Sequence, residues 1–250
     1  MTGRAICVFL IVSLAGSAAQ ERPLPDADAF FAAARENLAR AGREQARFAY
    51  KERRTELHMN PFGRMGTGGV RINQVTPGEE PGVTHRRLLE RDGKPVPDAK
   101  TERVERRRRP EGRSSIEDAA SVLTFKMDRR ERIDGRDVIV VRFAPKPDAK
   151  PQTREGRLAT VLKGTIWVDE VTHEVMRAEA TATDDVSYGF GMIARLNKGA
   201  TMELTREPVA GGVWLPTSLR FSGEGRALLV RKVTVNHVIE WFDYQLAGSR

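Results

Sequence analysis

The feature that most constrains this chain is a long succession of β-forming segments separated by residues that favour tight turns. Asp92-Gly93, Asp134-Gly135 and Gly211-Gly212 lie between such segments, where hairpin loops are expected. About eleven strands are predicted, at residues 47–58, 69–76, 83–92, 123–132, 136–144, 163–169, 174–181, 186–195, 200–208, 213–221 and 228–242. Because short turns join them, neighbouring strands should pair antiparallel.

So many antiparallel strands cannot remain one flat, open sheet. They are expected to curl into a barrel or half-barrel, or to split into a sandwich. A smaller part of the chain is predicted to be helical, so the fold class is mainly antiparallel β with helices (α+β). A curled sheet with helices on its inner side would enclose apolar space suited to a lipid-like ligand.

Three segments interrupt the strands. Residues 26–42 have apolar residues at helical spacing and are predicted to form a helix that Asp26 caps and Gly42 ends. Residues 98–122 are predicted to be helical in two pieces broken at residues 110–112, the second beginning with a capping box of Ser115 and Asp118. Residues 145–156 contain three prolines and are predicted to form an extended loop.

The first nineteen residues have the pattern of a secretory signal peptide. Arg4 precedes an apolar run at residues 5–16, and small residues follow at 17–19. The apolar run is shorter than the roughly 20 residues that span a bilayer. We therefore expect cleavage after Ala19 and export of residues 20–250 to the periplasm as a single soluble domain.

Cysteine content and charge restrict the chemistry and the partners. The one cysteine, Cys7, lies within the signal peptide, which excludes disulfides and cysteine-ligated zinc from the exported chain. The formal net charge is +8, and part of the excess lies in the run Arg106, Arg107, Arg108, Arg109. Outside the cytoplasm the expected counterparts are anionic membrane surfaces rather than nucleic acid, unless the charge only keeps the protein soluble.

One charged cluster, at residues 164–175, raises the question of a metal or acid/base site. Asp169, Glu170, His173 and Glu174 fall close together there, between two segments of alternating apolar residues. A His-Glu-x-x-His zinc site needs two histidines on one helical face, whereas this pattern predicts one histidine in a hairpin. We therefore interpret the cluster as a solvated turn.

The other candidate motifs do not predict catalysis. His58, His85 and His237 lie on separate predicted strands without paired spacing. The glycine-rich residues 63–69 lack the lysine and the following helix of a phosphate loop, so a flexible loop is expected. Because no nucleophile elbow occurs either, the sequence predicts no enzyme, no catalytic residue, no metal and no cofactor.

Apolar side chains on several strands are candidates for a ligand cavity. In residues 186–192, apolar side chains alternate with serine and glycine, which indicates a bend or a close approach to the backbone. The residues expected to line a lipid cavity are Phe48, Tyr50, Trp167, Phe190, Trp214, Phe221 and Trp241. Ordinary core packing of these side chains is the alternative interpretation.

Three segments together resemble a known family. The sequences Gly-Thr-Ile-Trp-Val-Asp at 164–169 and Gly-Val-Trp-Leu-Pro-Thr at 212–217, and the closing strand at 233–244, are similar to the bacterial outer-membrane lipoprotein-sorting (LolA/LolB-like) superfamily. The resemblance covers residues 120–245. It implies an unclosed, curved β-barrel with an N-terminal helix and a central helical insertion as a lid, and a hydrophobic cavity for acyl chains.

Three functions follow as hypotheses. The leading one is a periplasmic carrier that binds the acyl chain of a lipid or lipoprotein, with Arg106 to Arg109 contacting an anionic membrane surface. The second is an envelope sensor or protein-interaction module on the same fold, whose partner is an envelope protein. The third is a hydrolase of envelope polymers, which would require acidic side chains that converge inside the cavity.

Overall fold

The computed structural model describes residues 22–59, 65–80, 82–105, 115–188, 194–227 and 231–248. The predicted signal peptide, the arginine run 106–109 and Phe190 lie outside the described residues. Within them, the helices are α1 (Ala27–Gln45), α2 (Ser115–Ser121) and α3 (Arg154–Ala159), with a 3₁₀ turn at Ala210–Gly212. None of these helices combines the length and the apolar composition that a membrane-spanning helix requires.

The strands follow one another along the chain much as the turn signals predict. They are β1 (Phe48–Met59), β2 (Met65–Pro77), β3 (Val83–Arg91), β4 (Lys94–Pro95), β5 (Thr101–Glu105), β6 (Leu123–Ile133), β7 (Arg136–Pro145), β8 (Leu162–Asp169), β9 (Val175–Ala182), β10 (Val186–Tyr188), β11 (Ala194–Leu196), β12 (Thr201–Pro208), β13 (Trp214–Ala227) and β14 (Arg231–Leu246). The predicted hairpin turns are confirmed, because the residues at 92–93, 134–135 and 211–212 all have positive φ angles.

Twelve strands form one antiparallel sheet in the order β4-β3-β2-β1-β14-β13-β12-β9-β8-β7-β6, with β5 paired to β3. Among the described residues, strands β10 and β11 pair only with each other, as a separate two-stranded sheet. The two ends of the large sheet, at β4 and β6, are not paired with each other in the described chain. The predicted fold class, an unclosed antiparallel sheet with an N-terminal helix, is therefore confirmed.

Two predicted elements are wrong. The first helical piece of residues 98–109 contains strand β5, because the free edge of β3 offers backbone partners that satisfy this segment. The described parts of the predicted strand at 186–195 belong to two short strands, β10 and β11, which pair antiparallel with each other. The second helical piece is confirmed as α2.

Element boundaries also differ. Helix α1 continues through Gly42 to Gln45, since the good helix formers that follow Gly42 continue the helix. The predicted loop at 145–156 ends in α3, whose N-cap Thr153 accepts a hydrogen bond from the Gly156 N–H. Strand β2 begins at Met65, within the glycine-rich segment that was expected to be a loop.

Helix α1 packs on the sheet through its apolar side. Asp26 caps the helix by accepting a hydrogen bond from the Ala29 N–H at 2.9 Å, which confirms its predicted role. The buried core contains residues of α1 and of three strands: Phe30, Ala34, Ile139, Val141, Val168 and Val175. The helix therefore covers the part of the sheet formed by β7, β8 and β9.

Candidate ligand-binding face

The strand register shows which side chains of the other strands lie on the same face of the sheet as α1. Side chains of directly paired residues in an antiparallel sheet lie on the same face. Ile166, which packs against the α1 core, pairs with Ala178; Ala178 pairs with Leu204. Leu204 pairs with Leu219, which in turn pairs with Ile239. We call this surface the helix-side face, and the opposite surface the outer face.

The middle of the helix-side face is apolar and incompletely covered. Under α1, the side chains of Ile139 and Val141 on this face are fully buried. On β9, β12, β13 and β14, by contrast, the apolar side chains of the same face are half-buried: Ala178, Ala180, Met202, Leu204, Leu219, Phe221, Ile239 and Trp241. This apolar strip is a surface on which an apolar ligand can lie.

A charged cluster adjoins the apolar strip on β1 and β3. Glu52 pairs directly with Trp241, so its side chain lies on the helix-side face, where the residue is only 4% exposed. Its carboxylate is 3.2 Å from the Arg86 guanidinium and 3.6 Å from that of Arg54. We call these three residues the arginine cluster. A buried carboxylate needs such partners, because burying it alone is costly.

An aromatic group lies beside the arginine cluster at the start of β1. The ring of Tyr244 is 5.2 Å from that of Tyr50 and 6.0 Å from that of Phe48. The Tyr244 hydroxyl donates a hydrogen bond of 2.6 Å to the Pro216 carbonyl. Burial raises the pKa of Tyr244 far above its ordinary value, and Tyr50 and Glu52 act in the same direction. The phenol therefore remains a protonated donor that holds β14 against β13.

The structure separates the aromatic residues that were predicted to line a lipid cavity. Phe221 and Trp241 lie in the apolar strip, whereas Phe48 is buried against Tyr244. Trp214 is buried at the start of β13, with the Arg136 guanidinium 5.6 Å from its ring. Phe221 and Trp241 are thus placed where a ligand on the apolar strip would meet them, and Tyr50 is half-buried on the same face beside the arginine cluster.

Trp167 lies on the outer face, because it alternates with Ile166 and Val168 of the core. Its indole N–H donates to Glu131 at 3.0 Å and, by this hydrogen bond, holds the pKa of that carboxyl below its ordinary value. The Arg177 guanidinium lies 5.3 Å from the Trp167 ring. This tryptophan therefore belongs to a charged surface network, on the side of the sheet away from the strip.

The charged cluster at 169–174 forms the turn between β8 and β9, as predicted. Asp169 accepts hydrogen bonds from the N–H groups of Val171 at 3.0 Å and Thr172 at 2.7 Å. His173 has a φ of 57°, in the left-handed region. The prediction that these charges face water is wrong, since Asp169 and Glu174 are only 2% and 5% exposed.

Instead, the turn binds the N-terminal part of the chain. Glu170 receives two hydrogen bonds of 2.7 Å from Arg130 and also pairs with Arg22. Arg130 in turn donates to the carbonyls of Arg22 at 2.6 Å and Pro23 at 3.1 Å. These contacts fix the segment that leads into α1.

The same turn also binds α1 itself. The Asn37 amide donates to the Thr172 carbonyl at 2.7 Å, and the His173 ring lies 5.1 Å from that of Phe30. Glu174 pairs with Arg40 of α1 at 3.1 Å. The charged residues are thus engaged in holding the helix, and the described part of the chain contains no group of three or more His, Cys, Asp or Glu side chains arranged for a metal ion.

Acid is expected to weaken the anchor of the N-terminal segment. The Arg130 guanidinium holds the pKa of Glu170 below its ordinary value, against the opposing effect of burial and with help from Arg22. The stability that the Glu170–Arg130 pair contributes is therefore fully present above the unfolded-state pKa of glutamate, about 4.3. It is lost as the pH falls through the lower pKa of Glu170 in the folded protein. Urea unfolding between pH 7 and acid should show a shallower loss in Glu170→Gln than in the unsubstituted protein.

Glu36 provides the control for this comparison, because it is exposed on α1. Glu36→Gln should retain the acid-dependent loss of the unsubstituted protein. Equal acid dependence of Glu170→Gln and the unsubstituted protein would show that the Glu170 contacts do not contribute to stability.

A second concavity lies where β14 meets the loop after β12. It has a volume of about 490 Å³ and is lined by Arg53, Glu207, Val209, Ala210, Thr217, Glu240, Trp241, Phe242, Asp243 and Tyr244. The Arg53 and Glu240 side chains form an ion pair of 3.4 Å beside the Phe242 ring. Its charged lining suits an acyl chain less well than the apolar strip does.

The sequence interpretation missed the arginine cluster. The sequence does indicate it in part, because Tyr50, Glu52 and Arg54 are at every second position of a predicted strand and so lie on one face. That alternation alone does not tell which face is covered, and it gives no partner for Glu52. Arg86 becomes its neighbour only through the pairing of β1 with β2 and of β2 with β3.

Comparisons with known proteins give remote structural likenesses. No protein-family model matches the chain, and no curated protein matches it significantly. A DUF1329 family protein from Desulfovibrio piger is 15% identical, with 88% of this chain and 94% of that chain covered and a TM-score of 0.37. A protein domain from Vibrio parahaemolyticus, described as outer membrane lipoprotein-sorting, is 12% identical, with 90% and 95% covered and a TM-score of 0.41.

A LolA superfamily protein from Nitrosomonas europaea is 14% identical, with 83% of this chain and 93% of that chain covered and a TM-score of 0.33. These remote likenesses assign no family and no role to the chain.

Proposed function

We propose that this protein is a periplasmic carrier that binds an acyl chain of a lipid or lipoprotein on the helix-side face of its sheet. The observation that carries the proposal is the apolar strip, a continuous set of half-buried apolar side chains on four adjacent strands. In this proposal residues 1–19 are removed on export, and residues 20–250 act as one domain without a catalytic step.

The energetics of burial support an acyl chain as the ligand. Each buried methylene contributes about 0.8 kcal/mol, so a long chain gains affinity without specific polar contacts. The side chains of Met202, Leu204 and Leu219 present such a surface on neighbouring strands. Methionine adapts to ligands of different shape, which suits a carrier of several related chains.

The contacts of the β8–β9 turn support a role for α1 as a cover. The helix is held at one side through Asn37, Arg40 and Phe30, and it covers the sheet next to the strip. A ligand on the strip would therefore lie beside the helix rather than displace the buried core. Contact of the run Arg106 to Arg109 with an anionic membrane surface remains a prediction.

The surroundings of Glu52 favour binding over hydrolysis. A hydrolase of envelope polymers would need two carboxylates, or a carboxylate and a histidine, facing each other in the site. The partners of the buried Glu52 carboxylate that the structure describes are instead the guanidinium groups of Arg54 and Arg86. This arrangement holds a charge in place and supports a site that binds.

Two adjacent residues of β14 give a matched test of the proposed face. Ile239 lies on the helix-side face and Val238 on the outer face, and both are half-buried. Ile239→Asn should weaken binding of a fluorescent fatty acid about tenfold, because it removes roughly 1.5 kcal/mol or more of apolar burial. Val238→Asn should bind as the unsubstituted protein does.

The same titration shows how the proposal could fail. If Ile239→Asn and Val238→Asn weakened fatty-acid binding equally, the ligand would not bind specifically to the helix-side face. Protein that takes up no fatty acid, and that carries no lipid when extracted after purification from the periplasm, would contradict an acyl-chain carrier altogether.

A further inference from the structure

We infer that the arginine cluster recognises the anionic group of an amphiphilic ligand whose acyl chain lies on the apolar strip. The inference rests on the proposed function and names the class of ligand: a chain that ends in a carboxylate or a phosphate. Arg54 and Arg86 are the residues that would bind the anion, and Glu52 is the residue that positions them.

The cluster and the strip are continuous. Arg54 pairs directly with Ile239, and Glu52 pairs directly with Trp241. Cβ atoms of directly opposite residues in an antiparallel pair lie about 4.5–5.5 Å apart. A chain that lies along the strip therefore ends beside the two guanidinium groups without leaving the helix-side face.

The hydrogen-bonding capacity of the cluster is not used up. The Nε atoms of Arg54 and Arg86 are both buried, and neither has a hydrogen-bond acceptor among the described residues. The Glu52 Oε1 atom is buried as well, and its nearest described cation is Arg54 at 3.6 Å, beyond hydrogen-bond distance. Buried donors are usually satisfied, so an anion beside the two arginines would supply acceptors that the described residues do not provide.

The charge of this end of the face also favours an anion. The helix-side face of β1 to β3 carries four arginines, Arg54, Arg71, Arg86 and Arg91, and two glutamates, Glu52 and Glu56. Glu56 accepts a hydrogen bond from Arg71 at 3.3 Å, which leaves Glu52 alone between two guanidinium groups. One carboxylate cannot neutralise two arginines, and the remaining positive charge is compensated when an anion binds.

Guanidinium groups suit this task because they donate parallel hydrogen bonds to carboxylate and phosphate oxygens. Arg54 and Arg86 retain exposed parts of their side chains, at 40% and 33%. Their outer nitrogens can therefore reach a ligand while Glu52 fixes the position of both. A neutral headgroup would leave the excess charge uncompensated.

The test compares ligands that share one chain and differ in headgroup. Binding of oleate, oleyl phosphate and oleyl alcohol to the full exported chain is measured by calorimetry, below the concentration at which each forms micelles. The two anionic ligands should bind at least tenfold more tightly than the alcohol. Inorganic phosphate alone should bind weakly, because it gains nothing from the apolar strip.

Substitutions of single arginines then test which residues cause the preference for an anionic headgroup. Arg54→Gln and Arg86→Gln should each reduce the ratio of oleate to oleyl alcohol affinity severalfold, with the affinity for the alcohol little changed. Arg53→Gln is the matched control, since Arg53 lies on the outer face and pairs with Glu240; it should keep the full preference. The comparison of headgroups on the unsubstituted protein does not depend on whether a variant folds.

The outcomes separate this inference from the proposed function. Equal affinity for all three oleyl ligands would overturn the headgroup site and leave the acyl-chain carrier intact. Inorganic phosphate that binds as tightly as oleyl phosphate would also overturn it, because the site would then be one for free phosphate. No binding of any oleyl ligand would contradict the proposed function itself.

Discussion

Arg206→Ala is expected to lower the free energy of unfolding by about 3–5 kcal/mol, the cost of removing one partner from a buried ion pair. Arg206 is 4% exposed and donates to the carbonyls of Val175 at 2.9 Å and Trp214 at 2.6 Å. Its guanidinium is 3.4 Å from the Glu174 carboxylate. One side chain thus joins β9, β12 and β13 beneath the turn that binds α1.

The loss arises because the substitution removes the donor to two buried carbonyls and leaves the buried Glu174 with the exposed Arg40 as its described partner. Burial lowers the pKa of Arg206, and Glu174 opposes that change, so the two charges stabilise each other in the folded protein. The double variant Glu174→Gln, Arg206→Met should recover part of the loss, since it removes both charges together, although it also removes the pair of Glu174 with Arg40.

Urea unfolding of purified variants measures these effects. Arg142→Ala provides the control, because Arg142 pairs with Asp128 at 2.9 Å but is 64% exposed; it should cost about 1 kcal/mol or less. A loss for Arg206→Ala no larger than that of Arg142→Ala would contradict the structural role assigned to the buried pair.

Gly164→Ala is the second substitution with a large expected effect. A Cβ atom at this position would lie 1.8 Å from the Glu179 carbonyl oxygen and 2.8 Å from the Phe143 ring. The first contact is with backbone, which can move only if the pairing of β8 with β9 is disturbed. We expect a loss of about 3 kcal/mol, at the upper end of the usual cost of overpacking.

Gly42 provides a matched glycine in the same protein. It lies within α1, and a Cβ atom there would meet nothing within 4 Å. Gly42→Ala should therefore raise the free energy of unfolding by about 0.5–1 kcal/mol, because alanine favours the helix. Thermal unfolding of both variants tests the pair. Similar changes for the two substitutions would contradict the close approach of β8 and β9 at Gly164.

The sequence predicted the antiparallel sheet well because its signals are local. Asp134-Gly135 needs two positive φ angles, and such pairs occur in few structures other than tight hairpins. Strand β5 was missed because its signal is not local. The residues from Thr101 to Glu105 are mostly charged, and they become a strand only because the edge of β3 is available to pair with them.

The candidate site was predictable only in part, for the same reason. The alternation of Leu219 and Phe221 with polar neighbours indicates one apolar face, but it cannot show that α1 leaves this part of the face half-buried. Trp167 was predicted to line the cavity as an aromatic residue of a strand. The register assigns it to the outer face, because its neighbours Ile166 and Val168 pack against α1.

The charged turn at 169–174 shows that a cluster of ionisable residues can have a structural role. Glu170 and Glu174 each bind arginines from distant parts of the chain, and Asp169 binds the turn backbone and Arg136. Sequence spacing correctly indicated a hairpin. It could not show that the carboxylates anchor α1, since Arg22, Arg40 and Arg206 are far away along the chain.

The central claim is that an acyl chain lies on the helix-side face. Photo-crosslinking with a fatty acid that carries a diazirine at mid-chain, followed by mass spectrometry of the peptides, tests it most directly. We predict saturable labels on Met202, Leu204, Leu219 or Ile239, and competition by unlabelled oleate. Labels confined to outer-face residues such as Val238 or Trp167, or labelling that oleate does not reduce, would contradict the claim.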